Sequence, residues 1–262
     1  MFPKLLEIGS FYLPTYGVLV ALGFLAGLSV TTHLARRRGL DAERVGNLAI
    51  YCALAGLLGA KLLMFVLDYD YYLAYPNRLF SLDTLLSAGV FHGGFFAALL
   101  FAWIYLRRQG MGWLPVADVL APGLAVGHAL GRLGCFAAGC CWGARCERPW
   151  AVTFTSPDAH ELVGVPLNVP LHPTQLYESF ATAGVATVLW HMSRRPQPPG
   201  RVLGAYLLLY SLARLAVEFF RDHQQALPFG LALTWTQWMA AGLAACGGWL
   251  LWRRNHLLPR QA

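Results

Sequence analysis

The chain has 262 residues, of which 57% are hydrophobic and only 13% charged, and its formal net charge is +7. Soluble domains run near a quarter charged, so this composition excludes an ordinary soluble protein and predicts an all-α integral membrane protein. The positive charge calls for no nucleic acid partner, because basic loops facing anionic lipid account for it.

A spanning helix needs about 20 mostly apolar residues. In chain order, seven segments qualify: 12–35, 46–67, 90–106, 115–138, 176–191, 202–220 and 231–252. They predict about seven transmembrane helices in a single polytopic membrane domain over 1–262. The first apolar run is long, and no basic segment and small-residue cleavage site frame it, so a cleaved signal peptide is not expected. With the N-terminus outside and the C-terminus cytoplasmic, twelve of the 20 Lys and Arg fall in cytoplasmic loops and five in outer loops. That bias is the one that sets orientation in a bilayer.

DYDYYLAYPNRLF (68–80) is rich in tyrosine and reads as an interfacial element at the outer surface. The stretch 143–171 reads as a small extracytoplasmic arm, in which the alternation of WAVTFTS predicts a short strand. RRPQPPG (194–200) is a cytoplasmic turn, with proline blocking helix continuation. In the fourth span Gly123, Gly127 and Gly131 recur every four residues, a smooth ridge that permits close helix contact.

Three basic residues, Lys61, Arg132 and Arg214, lie inside the spans. An arginine at the bilayer centre costs about 2.5–3.5 kcal/mol on insertion scales, so two of them require a reason. Arg214, Glu218 and Arg221 follow at i, i+4 and i+7 and share a helix face. A buried Arg–Glu pair would account for two of them. It leaves Arg132 unexplained, and a polar cavity that receives an anion accounts for the excess of cations, since arginine offers a planar fork to phosphate or carboxylate. His92 in FHGGFF (91–96) and His128 are span histidines, a residue type whose charge can change near neutral pH. The glycines after His92 leave room for a ligand. His128, one turn before Arg132, is expected to pack or to donate to a carbonyl. In LHPTQLYES (171–179), Pro173 suits a helix start and Glu178 the first turns. His172, Gln175 and Tyr177 form a polar cluster that capping does not explain.

FHGG, GRLG with Phe136, Gly139 and Trp142-Gly143, HPTQLYE, and R-x-x-x-E-F-F-R, in this order, resemble the prolipoprotein diacylglyceryl transferases. YLPTYGVLVALGF (12–24) is similar to that family's first span, and LTWTQW (233–238) to the Thr–Gln motif opening its last. The resemblance covers nearly the whole chain. It implies a multi-pass enzyme of lipoprotein biosynthesis in the bacterial inner membrane, which moves the diacylglyceryl group of phosphatidylglycerol onto the lipobox cysteine thiol of a prolipoprotein. A thioether forms and glycerol-1-phosphate leaves. The partners implied are phosphatidylglycerol, the lipobox peptide and the bilayer, with no cofactor and no metal. Carried over residue by residue, Arg132 and Arg214 are the expected phosphate-binding arginines and His92 the general base for the thiol. Glu218, the fourth catalytic candidate, orients Arg214 and shares in proton handling. Tyr16, Lys61, Cys135, Cys140, His172, Gln175, Tyr177, Glu178 and Arg221 are the further substrate-binding candidates. The chain departs from the family pattern at Cys135 and Ala138, each usually Asn, and at Cys140, usually Glu. Lys61 and Leu171 stand where arginine is common.

Four cysteines, Cys135, Cys140, Cys141 and Cys146, form a C-x4-C-C-x4-C array at the outer end of the fourth span. An oxidising compartment favours a disulfide clip there, for example Cys141–Cys146 or Cys135–Cys140. A four-thiolate zinc site ranks lower because the spacing is not the paired C-x2-C form, and a catalytic thiol ranks third. Cys52 and Cys246, within spans, read as small apolar residues. The array keeps one alternative function open, a non-transferase paralogue that exchanges disulfides or binds metal.

Overall fold

A computed structural model describes residues 2–9, 11–81, 84, 87, 89–221 and 233–257. They divide into two compact units, Ala35–Val116 and Met1–Leu34 with Ala117–Ala262. The hairpin β1 (Lys4–Ile8) and β2 (Phe11–Pro14) is antiparallel and leads into α1 (Thr15–Arg37). There follow α2 (Ala42–Leu67), the short α3 (Tyr69–Ala74), a 3-10 turn (Pro76–Phe80), α4 (Phe91–Arg108) and α5 (Trp113–Ala138). Residues 143–171 carry β3 (Val152–Thr153), α6 (Pro157–Val163) and β4 (Pro170–Leu171), with β3 and β4 paired antiparallel. The chain ends with α7 (Thr174–Ser193), α8 (Arg201–Glu218) and α9 (Trp235–Leu257).

Each of the seven apolar segments overlaps one of the long helices, although residues 12–14 lie in β2 and residues 90, 219–220 and 233–234 flank helix ends; residues 231 and 232 lie outside the described residues. By length and composition, α1, α2 and α5 are apolar enough to cross a membrane. Leu54, Leu57, Leu58, Leu62 and Val66 of α2 and Phe91, Phe95 and Phe96 of α4 are all exposed. Such a continuous apolar surface suits lipid rather than water.

In the unit Ala35–Val116, α2 and α4 run antiparallel and touch through glycines. A Cβ on Gly94 would stand 2.7 Å from the Gly56 carbonyl oxygen, so the backbones meet where no side chain fits. This corrects one expectation: Gly93 and Gly94 leave no room for a ligand, because α2 fills it. Asp41 starts α2 by accepting from the Glu43 and Arg44 N–H groups.

In the other unit, α1 and α5 approach in the same way. A Cβ on Gly27 would lie 2.6 Å from the Gly123 oxygen, and one on Gly23 2.9 Å from the Gly127 oxygen. Gly131, the third member of the expected ridge, faces open space. Gly247 of α9 packs on Gly204 of α8. Between the helices lies an apolar core of Ala121 and Ala125 from α5, Val185, Ala186 and Leu189 from α7, and Val202 and Ala205 from α8. Asp118, fully buried on α5, accepts from the Gly200 N–H at 2.7 Å and the Leu203 N–H at 2.8 Å. It thereby satisfies two of the free donors at the start of α8. The sequence reading passed over this buried carboxylate. Residues 143–171 enclose a small core of their own, Phe154, Ala159, Val165 and Leu171.

Candidate active site

His128 and Arg132 are one turn apart on α5 and present the same face. Glu178, on α7, meets both. Arg132 Nη2 and His128 Nε2 each lie 3.0 Å from Glu178 Oε1, and Arg132 Nε lies 3.3 Å from His128 Nε2. One ring nitrogen cannot donate to a carboxylate and also accept from a guanidinium. The shorter contact assigns the proton to Nε2, donated to Glu178. The Glu178 side chain is only 2% exposed, and a carboxylate so far from water persists only when paired and hydrogen-bonded. Ser179, its neighbour, donates to the Ala129 carbonyl at 2.8 Å and locks α7 onto α5.

The second arginine is held separately. Arg214 Nη1 lies 2.6 Å from Glu218 Oε2, an i, i+4 pair on α8. The Thr234 hydroxyl donates to Glu218 Oε1 at 2.9 Å. Thr234 also caps α9 reciprocally with Gln237: Thr234 N–H donates to Gln237 Oε1, and Gln237 N–H donates to Thr234 Oγ1. The T-x-x-Q of LTWTQW is thus a capping box whose hydroxyl also reaches across to α8. Tyr210 stands one turn before Arg214, its ring 5.2 Å from that of His128. Arg132, Arg214, Arg221 and Glu178 all act electrostatically on it. Half-buried Arg132 reaches Tyr210 through His128, and buried Arg214 follows Tyr210 by one turn of α8.

The third part is the loop after α5. The helix ends in a left-handed Gly139, with the Gly139 and Cys140 N–H groups returning to the Cys135 carbonyl. Cys141 follows at φ 62°, a conformation that a non-glycine residue adopts under strain. The strain is held by side chains from elsewhere. Gln175 Nε2 donates to the Cys140 carbonyl at 2.7 Å, Thr174 Oγ1 to that of Cys141 at 2.8 Å, and Arg221 Nη2 to the same Cys141 oxygen at 3.3 Å. The sulfurs of Cys135, Cys140 and Cys141 all lie within 4.8 Å of one another. Hydrogen bonds from the Cys135 and Cys140 thiols hold the Cys141 thiol far below its ordinary range, and Arg132 and Arg221 add to this against the effect of burial. The Cys140 thiol, as a donor, is pushed up. Tyr16 packs against Gly134, one turn of α5 away.

Several expectations are modified by this geometry. The cysteines are free, so the Cys141–Cys146 and Cys135–Cys140 clips are not formed. Cys146 stands outside the trio and accepts the Arg148 N–H. Arg221 does not continue the Arg214–Glu218 helix face; α8 stops at Glu218 and Arg221 turns to the cysteine loop. His172 and Tyr177 are engaged with each other, Nδ1 to hydroxyl at 3.1 Å, and Trp150 Nε1 donates to that hydroxyl at 2.8 Å. His92 and Lys61 belong to the other unit. His92 is exposed beside Phe91. Lys61 Nζ donates to the Thr84 and Ser87 carbonyls and to the Ser87 hydroxyl, tying the turn before α4 to α2.

The sequence reading underrated His128, Tyr210 and Cys141. Each carried a signal: His128 and Tyr210 precede Arg132 and Arg214 by one helical turn, and Cys141 adjoins Cys140.

The profile of the prolipoprotein diacylglyceryl transferase family matches residues 3–253. A relative from Nitratidesulfovibrio vulgaris is 35% identical over 259 residues, 95% of this chain and 93% of its own. Relatives from Clostridium tetani and Cupriavidus metallidurans are each 33% identical, covering 84% and 94% of this chain and 86% and 90% of theirs. All three bear the name phosphatidylglycerol–prolipoprotein diacylglyceryl transferase. On the ordered motifs, the paired arginines and this match over nearly its whole length, the chain belongs to the prolipoprotein diacylglyceryl transferase family.

Proposed function

We propose that this protein is a membrane enzyme that transfers the diacylglyceryl group of phosphatidylglycerol to the lipobox cysteine thiol of a prolipoprotein, releasing glycerol-1-phosphate. The observation that carries the reading is two arginines, Arg132 half-buried and Arg214 buried, each fixed by its own carboxylate, Arg132 by Glu178 and Arg214 by Glu218. A guanidinium held by one carboxylate keeps further N–H donors for a phosphate. Arg132 and Arg214 bind the phosphodiester and stabilise the charge that gathers on the leaving phosphate. Thr234 and Glu218 position Arg214; Glu178, which accepts from His128, positions Arg132. His92 accepts the thiol proton, a role that rests on the FHGG motif. Tyr16, Gln175, Tyr177, His172 and Arg221 shape the pocket and its loops.

In the membrane the seven long helices span the bilayer, with the N-terminus outside and the C-terminus in the cytoplasm. Residues 143–171 form an extracytoplasmic arm of the single polytopic domain. The basic-residue bias supports that orientation. The names of the relatives favour transfer over the disulfide-exchange alternative.

The test is a lipidation assay on purified protein with phosphatidylglycerol and a lipobox peptide, read by peptide mass. A diacylglyceryl mass increment is expected, lost when the peptide cysteine is replaced by serine. No increment with active relatives as controls overturns the reading.

A further inference from the structure

We propose that Cys135, Cys140 and Cys141 form a three-thiolate site for a soft divalent cation of the zinc class, and that its fourth position receives the thiol of the peptide substrate. The second half of this inference rests on the transferase reading; the first half does not.

Three observations converge on the site. The three sulfurs lie within 4.8 Å of one another. Tetrahedral zinc with bonds of about 2.3 Å needs sulfurs about 3.8 Å apart, which small side-chain rotations supply. The backbone is committed to this convergence: Cys141 adopts φ 62° and Gly139 φ 82°, folding the Cys-Cys pair back over the end of α5 toward Cys135. Finally, the loop is anchored from outside by Gln175, Thr174 and Arg221, which bind its carbonyls. Such a shell orients ligands before an ion arrives.

The ligand count separates this site from a structural one. Structural zinc sites close with four protein ligands, whereas sites that act on substrates keep three and leave one position open. Cys146 does not close the set, since its sulfur is turned to the Arg148 N–H. Three thiolates and a divalent cation carry one net negative charge, and a fourth thiolate makes two. Arg221 donates to the Cys141 carbonyl at 3.3 Å and Arg132 stands about one turn before Cys135 on α5, so two cations are placed to offset it. The same arginine assigned to the phosphate therefore borders the place where the nucleophile would be held.

The chemistry fits the reaction. A thiol that binds such an ion gives up its proton at neutral pH and remains a nucleophile. Its sulfur attacks the glyceryl CH2 carbon that bears the phosphate ester. The carbon–oxygen bond breaks, and its electron pair leaves on the phosphate oxygen beside Arg132 and Arg214. The thiol proton passes to solvent. No oxidant or reductant is consumed.

The test uses the full chain in detergent. It is loaded with zinc or cobalt(II) and desalted, and bound metal is measured with the cobalt absorption spectrum. One metal per chain is expected, with intense sulfur-to-cobalt bands. Cys135→Ser, Cys140→Ser and Cys141→Ser each lose the metal or those bands, while Cys246→Ser keeps both. A lipobox peptide shifts the cobalt spectrum, and the same peptide with serine in place of cysteine does not. Metal that stays in all three variants, or none in the wild type, overturns the site. A spectrum indifferent to the cysteine peptide overturns the thiol-binding role. Transfer by metal-free protein sinks the thiol-binding role and leaves the proposed function standing; a loaded site without any transfer leaves the metal site standing and sinks the proposed function.

Discussion

Arg132 Nη2 of α5 lies 3.0 Å from Glu178 Oε1 of α7, and the carboxylate is 2% exposed. The pair joins the signature arginine to the HPTQLYE motif, two stretches more than 40 residues apart in the chain. Replacing Arg132 with Ala should abolish thioether formation. Arg132→Lys keeps a charge but loses the planar fork, and a loss of about 10²–10³ in kcat is expected. Arg214→Ala should behave like Arg132→Ala. Peptide mass analysis reads both, and wild-type turnover in either variant removes that arginine from the phosphate site.

Glu178 supports the same pair from the other side. Glu178→Ala strands Arg132 and His128 and should cost about 3–5 kcal/mol of stability, as expected for half of a buried ion pair. Glu178→Gln keeps an acceptor and should cost less. Thermal unfolding in micelles ranks the two, and equal midpoints would show that the charge does not matter there.

Asp118 is expected to act on stability alone. It is buried and accepts two backbone N–H groups at the start of α8. Asp118→Ala should lower stability by about 1.5–3 kcal/mol, the range for hydrogen bonds to a charged group. Transfer per folded molecule should be unchanged, as measured by activity normalised to the folded fraction.

The glycine contacts make an internal comparison. Gly27→Ala places a Cβ 2.6 Å from the Gly123 oxygen and should cost about 1–3 kcal/mol through overpacking. Gly131→Ala meets open space and should leave stability unchanged. Equal unfolding midpoints for the two variants would contradict the close α1–α5 approach.

Thr234 is a positioning residue with two duties. Thr234→Val removes the cap of α9 and the hydroxyl that orients Glu218 behind Arg214. The cap alone is worth about 1 kcal/mol. Thr234→Ser restores the hydroxyl and should rescue both stability and kcat. Rescue of stability without kcat would confine Thr234 to capping.

Much of the molecule was legible from the chain. Long apolar runs with few charges determine that helices form and that they face lipid, because a bare backbone in hydrocarbon must satisfy its own hydrogen bonds. The i, i+4 spacing of Arg214 and Glu218 determines their pairing, since helical geometry alone brings them together. Glycines at four-residue spacing foretold a close helix contact at Gly123 and Gly127, and the structure supplied its partner, α1. What lies between helices was not legible. Glu178 read as a first-turn residue of its own helix, yet it is the partner of Arg132 and His128. Gln175 read as a substrate contact, yet its amide donates to the Cys140 carbonyl, as the Thr174 hydroxyl does to that of Cys141. The glycines after His92 read as ligand space, yet α2 fills it.

The cysteines show the same division most sharply. The sequence by itself determined that four thiols crowd the end of one helix. Only the tertiary structure decided which of them meet, because a reversal at Gly139 and a left-handed Cys141, pinned from α7 and from Arg221, turn three sulfurs together and leave Cys146 outside. Spacing fixes what a single element can bring together; contacts across elements depend on packing, which spacing does not encode.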